Sequence, residues 1–166
     1  MAPSTAHLEV SYDNGTSVVG RFGNVVFSLT TGRGESAGYE AGEAMMARVD
    51  EEYADGWCML VAAAAGAGMP TSEGRARSQA TTARYADRLR GMAIVLEGDG
   101  LWMSSMRMVS QTMMMALASR QGFPKQIFGT LAEASSWLET SAGSAAHFEA
   151  DALREAIESA RTRSAA

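Results

Sequence analysis

The 166-residue chain contains one cysteine, two histidines, three prolines and a single lysine. One cysteine, Cys58, excludes a disulfide framework within the chain and any multi-cysteine zinc or iron–sulfur site. His7 and His147 stand at opposite ends. No Ser–His–acid order, no H-E-x-x-H and no close pair of acids at strand ends can be assembled, so an enzyme is not expected and no cofactor or metal is implied. No apolar run reaches the roughly 18 residues needed to span a bilayer. The opening MAPSTAHLEV lacks the basic and apolar regions of a secretory signal. The expected compartment is the cytoplasm, with Cys58 a reduced thiol inside the apolar run WCMLVAAAA.

What the chain does have is a globular composition, 46% hydrophobic with a formal net charge of −5. That argues against disorder, and the length suits one domain with a short extension. Thirteen arginines beside one lysine, with 17 glycines, read as the coding bias of a GC-rich genome. Nucleic acid is a poor expectation, because the charge is negative and no aromatic residues interleave the arginines.

Thr16–Phe22 and Val25–Thr30 are β-branched runs, separated by Gly23-Asn24. A Gly-first two-residue link suits a type II′ hairpin. From Gly38 to Tyr53, Met45, Met46, Val49 and Tyr53 recur at helical spacing. Trp57–Ala64 and Met92–Leu96 are continuous apolar runs, as expected of strands covered on both faces. A helix is expected from about Glu73 to Leu89 and another from Leu101 to about Arg120. Lys125–Phe128 is a short last strand, and Thr130…Glu133 is a capping box opening the next helix. A small-residue linker, Ser141–Ala145, leads to a final amphipathic helix, His147–Arg163. The expected fold is α/β: a mixed sheet, N-terminal hairpin plus parallel βα units, with helices packed on it. The expected division is a tail (1–15), a domain (16–140), and a linker with a C-terminal helix (141–166).

This order of elements resembles the STAS fold of anti-sigma-factor antagonists and their SpoIIAA-like relatives. The stretch KQIFGTLAEASSWL is similar to that family's ending, through Phe128, Glu133, Ala134, Trp137 and Leu138. In classical members a kinase phosphorylates a serine at the start of the second helix, and the resemblance places Ser72 or Thr71 there. No Asp precedes either one, and the Gly-rich loop before them is longer. On that account the chain resembles the uncharacterised SpoIIAA-like branch.

Three candidate surfaces stand beside plainer readings. Gly66 and Gly68 precede a helix N-terminus whose first turns carry Arg75, and Asp99 follows a covered strand. Together they form a possible anion or ligand pocket at the C-terminal ends of the parallel strands, although a plain strand-to-helix turn would look the same. Arg77, Arg84 and Arg88 fall along one helix side and could receive an acidic partner, or be simply solvated. In the helix Leu101–Arg120, Trp102, Met106, Val109 and Met113 form the core stripe. Met108 and Met115 then lie about 200° around, as an interaction surface suited to an adaptable side chain. The leading expectation is a non-enzymatic interaction or regulatory module that contacts protein partners and self-associates as a dimer. The alternative is a small-ligand binder for a lipid or anionic metabolite.

Overall fold

In the computed structural model, residues 6–32, 36–67, 71–98, 108 and 122–165 are described. They form a six-stranded sheet in which spatial order follows chain order. Strands β1 (Leu8–Asp13), β2 (Ser17–Phe22) and β3 (Val25–Thr30) run antiparallel. Strands β4 (Trp57–Ala63), β5 (Leu89–Leu96) and β6 (Lys125–Phe128) continue from β3 in parallel. The mixed sheet with a leading hairpin and parallel βα units is therefore present.

The hairpin turn follows from its glycine. Phe22 pairs with Val25, so the loop is Gly23-Asn24. Gly23 has φ +55°, and no described non-glycine residue has a positive φ. Positive φ at the first loop position alone is the type II′ pattern, whose twist matches that of the strands. A side chain at Gly23 would also run into the His147 carbonyl. Asn24, fully buried, donates through Nδ2 to the carbonyls of Gly56 (2.9 Å) and Ala145 (2.7 Å) and accepts from the His147 N–H (3.0 Å). One amide thus ties the hairpin to two distant segments.

Helix α1 (Ser36–Glu52) connects β3 to β4, and α2 (Ser72–Arg84) connects β4 to β5. Both connections join neighbouring parallel strands stepping the same way, so right-handed crossovers put both helices on one face. Side-chain alternation sorts the two cores. Val26, Trp57, Met59 and Met92 meet Met45, Met46 and Val49 of α1. The alternate residues Val25, Phe27, Leu29, Cys58, Leu60, Ala93 and Val95 face the other way. There they meet α3 (Leu131–Ala142) and α4 (Ala150–Ser164). Thr130 caps α3 by accepting from the Glu133 N–H at 3.3 Å, as the capping box implies.

Three elements differ from expectation. Leu8–Asp13, expected as tail, is an edge strand, with a register irregularity between Val10 and Tyr12 of the kind that blunts edge-to-edge pairing. The segment expected as a linker from Ser141 instead continues α3 to Ala142 and then forms a 3₁₀ turn, Gly143–Ala145. Helix α2 ends at Arg84, and Arg88 lies in the turn after it. Helix α4 is fully part of the core: Leu153 and Ile157 are completely buried, each worth about 1.5–3 kcal/mol. Ala160 of the same helix is buried as well.

Candidate functional site

The sheet face under α1 and α2 changes character along its length. Toward the β2–β3 turn it is closed, with Val26 packed under α1 and the buried Arg21 beside it paired with Glu9 and Glu52. Toward the far end the same alternation brings up hydroxyls: Ser28 and Thr30 from β3, and Ser17 from β2. The register sets Ser17 opposite Thr30 and Val19 opposite Ser28, with Val61 beside Ser28 on β4. A polar floor results where the rule for a helix-covered face asks for aliphatic side chains.

The helix above leaves room over that floor. Gly38, Gly42 and Met46 are spaced four apart on α1 and share one side of the helix. Two of these three positions carry no side chain, although glycine within a helix costs about 0.5–1 kcal/mol relative to alanine. A Cβ on Gly42 would have no neighbour nearer than 3.9 Å, the Met46 methyl. The outcome is a cavity of about 160 Å³ between α1, α2 and strands β2–β4. Met46, Met59, Val19 and Val61 supply its apolar wall.

Its rim is charged but balanced. Arg77 of α2 donates to both Glu43 oxygens (2.7 and 2.9 Å), and the Thr81 hydroxyl donates to the same carboxylate at 3.2 Å. The hydrogen bond from Arg77 holds the Glu43 carboxyl below the usual carboxylate range, against the opposing effect of burial and with help from Thr81. Both partners are 34% exposed. The Arg77 guanidinium lies 6.0 Å from the centre of the Tyr39 ring. Gly74 lets α2 approach, since a Cβ there would strike the Tyr39 hydroxyl.

One floor residue stands out. Ser17 is 5% exposed, and its hydroxyl, closed off from water, has no hydrogen-bond partner among the described residues. A buried polar group left unpaired is costly and uncommon.

The other candidate residues lie elsewhere. Thr71 is the N-cap of α2, its hydroxyl accepting from the Gly74 N–H at 3.0 Å, and Ser72 is exposed at the first helical position. Gly66 sits in the turn after β4 with φ +86°, and Arg75 is exposed on α2. Neither lines the cavity. Gly68, Asp99 and Met115 lie outside the described residues, as does most of the expected helix 101–120. Met108 is helical and 71% exposed. Arg77 and Arg88 both turn toward α1, Arg88 through Asp50 at 3.4 Å and the Asp50 and Tyr53 carbonyls. Arg84 is exposed, so the three arginines do not make one solvated strip. Cys58 is buried, and burial pushes its thiol up to about 12.

No protein-family model matches the chain, and no curated protein does. Among solved structures the chain is similar to an uncharacterised protein of the DUF3478 family, described as having a SpoIIAA-like fold, from Shewanella loihica PV-4. The identity is 10% and the TM-score 0.47, over 80% of this chain and 92% of that one. Among the described residues, no helix is long and apolar enough to cross a membrane.

Proposed function

We propose that this protein is a non-enzymatic binding module that holds a small molecule between α1, α2 and the sheet. The observation that carries this reading is the pairing of missing side chains above, Gly38 and Gly42, with hydroxyls below, around one cavity. An engineered cavity of about 150 Å³ takes benzene, so this one has room for a ligand of similar size. Binding is favoured over catalysis because the carboxylate at the rim is occupied. Glu43 has both oxygens taken by Arg77, with Thr81 adding a third bond, leaving it a poor proton acceptor for a substrate. This site is separate from the anion pocket expected around Gly66, Gly68 and Asp99, of which Gly68 and Asp99 lie outside the described residues. It still lies toward the C-terminal ends of β3 and β4.

The test is calorimetric titration of the folded protein with benzene-sized molecules, beside Gly42→Leu, which places a side chain in the cavity. Saturable binding that Gly42→Leu abolishes while the fold persists supports the reading. Binding unaffected by Gly42→Leu, or no binding by any such molecule, overturns it.

A second reading, contact with a second copy of the chain, draws on the exposure of Met108. Sedimentation of the wild type and Met108→Glu checks it. Self-association weakened by the substitution supports this reading. A monomer at tens of micromolar, or unchanged association, removes it.

A further inference from the structure

The chemistry of the lining narrows the ligand class. Three observations bear on it, and all depend on the binding reading above. Ser28 and Thr30, half-buried neighbours along β3, line the cavity floor. Ser17, the cross-strand neighbour of Thr30, has its hydroxyl closed off from the cavity, with no hydrogen-bond partner among the described residues. The charges of the described lining residues, Glu43 and Arg77, already neutralise one another in a two-pronged pair.

An ionic ligand is a poor match for such a site. It would leave water for a cavity walled by two methionines and two valines, with no uncompensated countercharge among the described lining residues. A ligand with no polar atom is also a poor match, since it would cover the half-buried Ser28 and Thr30 hydroxyls and displace their water without replacing its hydrogen bonds. A neutral molecule with one hydroxyl avoids both costs. A hydroxyl both donates and accepts, and serine and threonine hydroxyls rotate to suit either role. The apolar remainder of such a molecule packs against Met46, Met59, Val19 and Val61, and methionine adapts to an aromatic ring.

We infer that the cavity selects a small, uncharged, hydroxyl-bearing molecule of about the size of phenol, and that the Ser28 and Thr30 hydroxyls read its polar group. Selection of this kind is sharp because a site that hydrogen-bonds a ligand hydroxyl disfavours the analogue lacking it.

The experiment compares phenol, toluene and benzoate on the full chain, in the wild type, Ser28→Ala and Thr30→Val. Toluene has the size of phenol without the hydroxyl, and benzoate adds a charge. Toluene leaves water more readily than phenol, so the quantity to read is the ratio of the two affinities and how it changes with substitution. Loss of one net hydrogen bond lowers the phenol preference about tenfold. That shift in either variant, with benzoate the weakest ligand of the wild type, supports the inference, and Thr30→Val serves if Ser28→Ala does not fold. If phenol and toluene both bind but their ratio is the same in all three proteins, the inference fails and the binding reading stands. Tighter binding of benzoate than of phenol likewise overturns the neutral class alone. If none of the three binds, with the cavity holding only water, the binding reading fails and the inference fails with it.

Discussion

Replacing Gly42 with alanine tests whether the gap in α1 is kept for room rather than required by packing. Gly42 lies well inside a 17-residue helix, where glycine costs about 0.5–1 kcal/mol relative to alanine through backbone entropy. The new methyl would meet its nearest neighbour, the end of the flexible Met46 side chain, at 3.9 Å. That is ordinary contact and adds no strain. Gly42→Ala is therefore expected to stabilise the protein by up to about 1 kcal/mol, a rise of roughly 2–4 °C in Tm for a chain of this size. The same methyl takes space from a cavity of about 160 Å³. A benzene-sized ligand then meets an overfilled site, at a cost of about 1–3 kcal/mol in binding. Differential scanning calorimetry and ligand titration on one preparation read both effects. Stability and affinity should move in opposite directions. A destabilised Gly42→Ala would mean that the backbone or a neighbour needs the glycine, and unchanged affinity would mean that the ligand does not reach α1. Either result refutes the reasoning.

Other predictions come from charged and buried groups. Hydrogen bonding from Arg48, opposed by burial and reinforced by Arg21, lowers the Glu9 carboxyl from 4.5, as Arg77 lowers that of Glu43. A carboxyl with a depressed folded value contributes fully above its unfolded value and loses that contribution as pH falls through the folded one. Urea unfolding should accordingly show stability that is level above about pH 5 and falls below it, by under about 1 kcal/mol for each of these partly exposed pairs. Glu9→Gln with Glu43→Gln should flatten the fall, and an unchanged slope would contradict the assignment. Cys58, with its thiol pushed up to about 12 by burial, should resist iodoacetamide at pH 8 until the protein unfolds; prompt labelling of the native state would show the site to be open. Asn24→Ala strands the carbonyls of Gly56 and Ala145 and the N–H of His147. The expected loss is about 2–4 kcal/mol, with faster amide exchange at 145–148; a change below 0.5 kcal/mol, as an order of magnitude for a surface site, would contradict it.

Much of the fold was legible because its signals are local. The type II′ turn needs only Gly23-Asn24, and the buried strands β4 and β5 need only their continuous apolar runs. The cap of α3 needs only Thr130 and Glu133. Strand β1 is hard to read from sequence because it is a half-exposed edge with an irregular register, so its alternation Leu8, Val10, Tyr12 is a weak signal taken alone. The cavity was half legible. In VVFSLT, Ser28 and Thr30 occupy the positions that alternate with Phe27 and Leu29, and Gly38 and Gly42 recur at one helical period. What the sequence alone did not provide is that these two faces meet, because that depends on the handedness of the crossover and the register of β2 on β3. The same holds for the rim: Glu43 and Arg77 are 34 residues apart and are joined only by the packing of α1 against α2. Arginine spacing along α2 therefore suggested an outward strip, while Arg77 points toward α1.

The central claim is that a small molecule binds between α1, α2 and the sheet, and the methionine methyl groups report on it directly. Met46 and Met59 line the cavity, whereas Met45 and Met92 lie in the closed apolar part of the same core. Titration of methyl-labelled protein with phenol, followed by NMR, should shift the Met46 and Met59 signals saturably and leave those of Met45 and Met92 nearly still. Methyl signals that do not move, or that move equally at all four positions, would contradict the account.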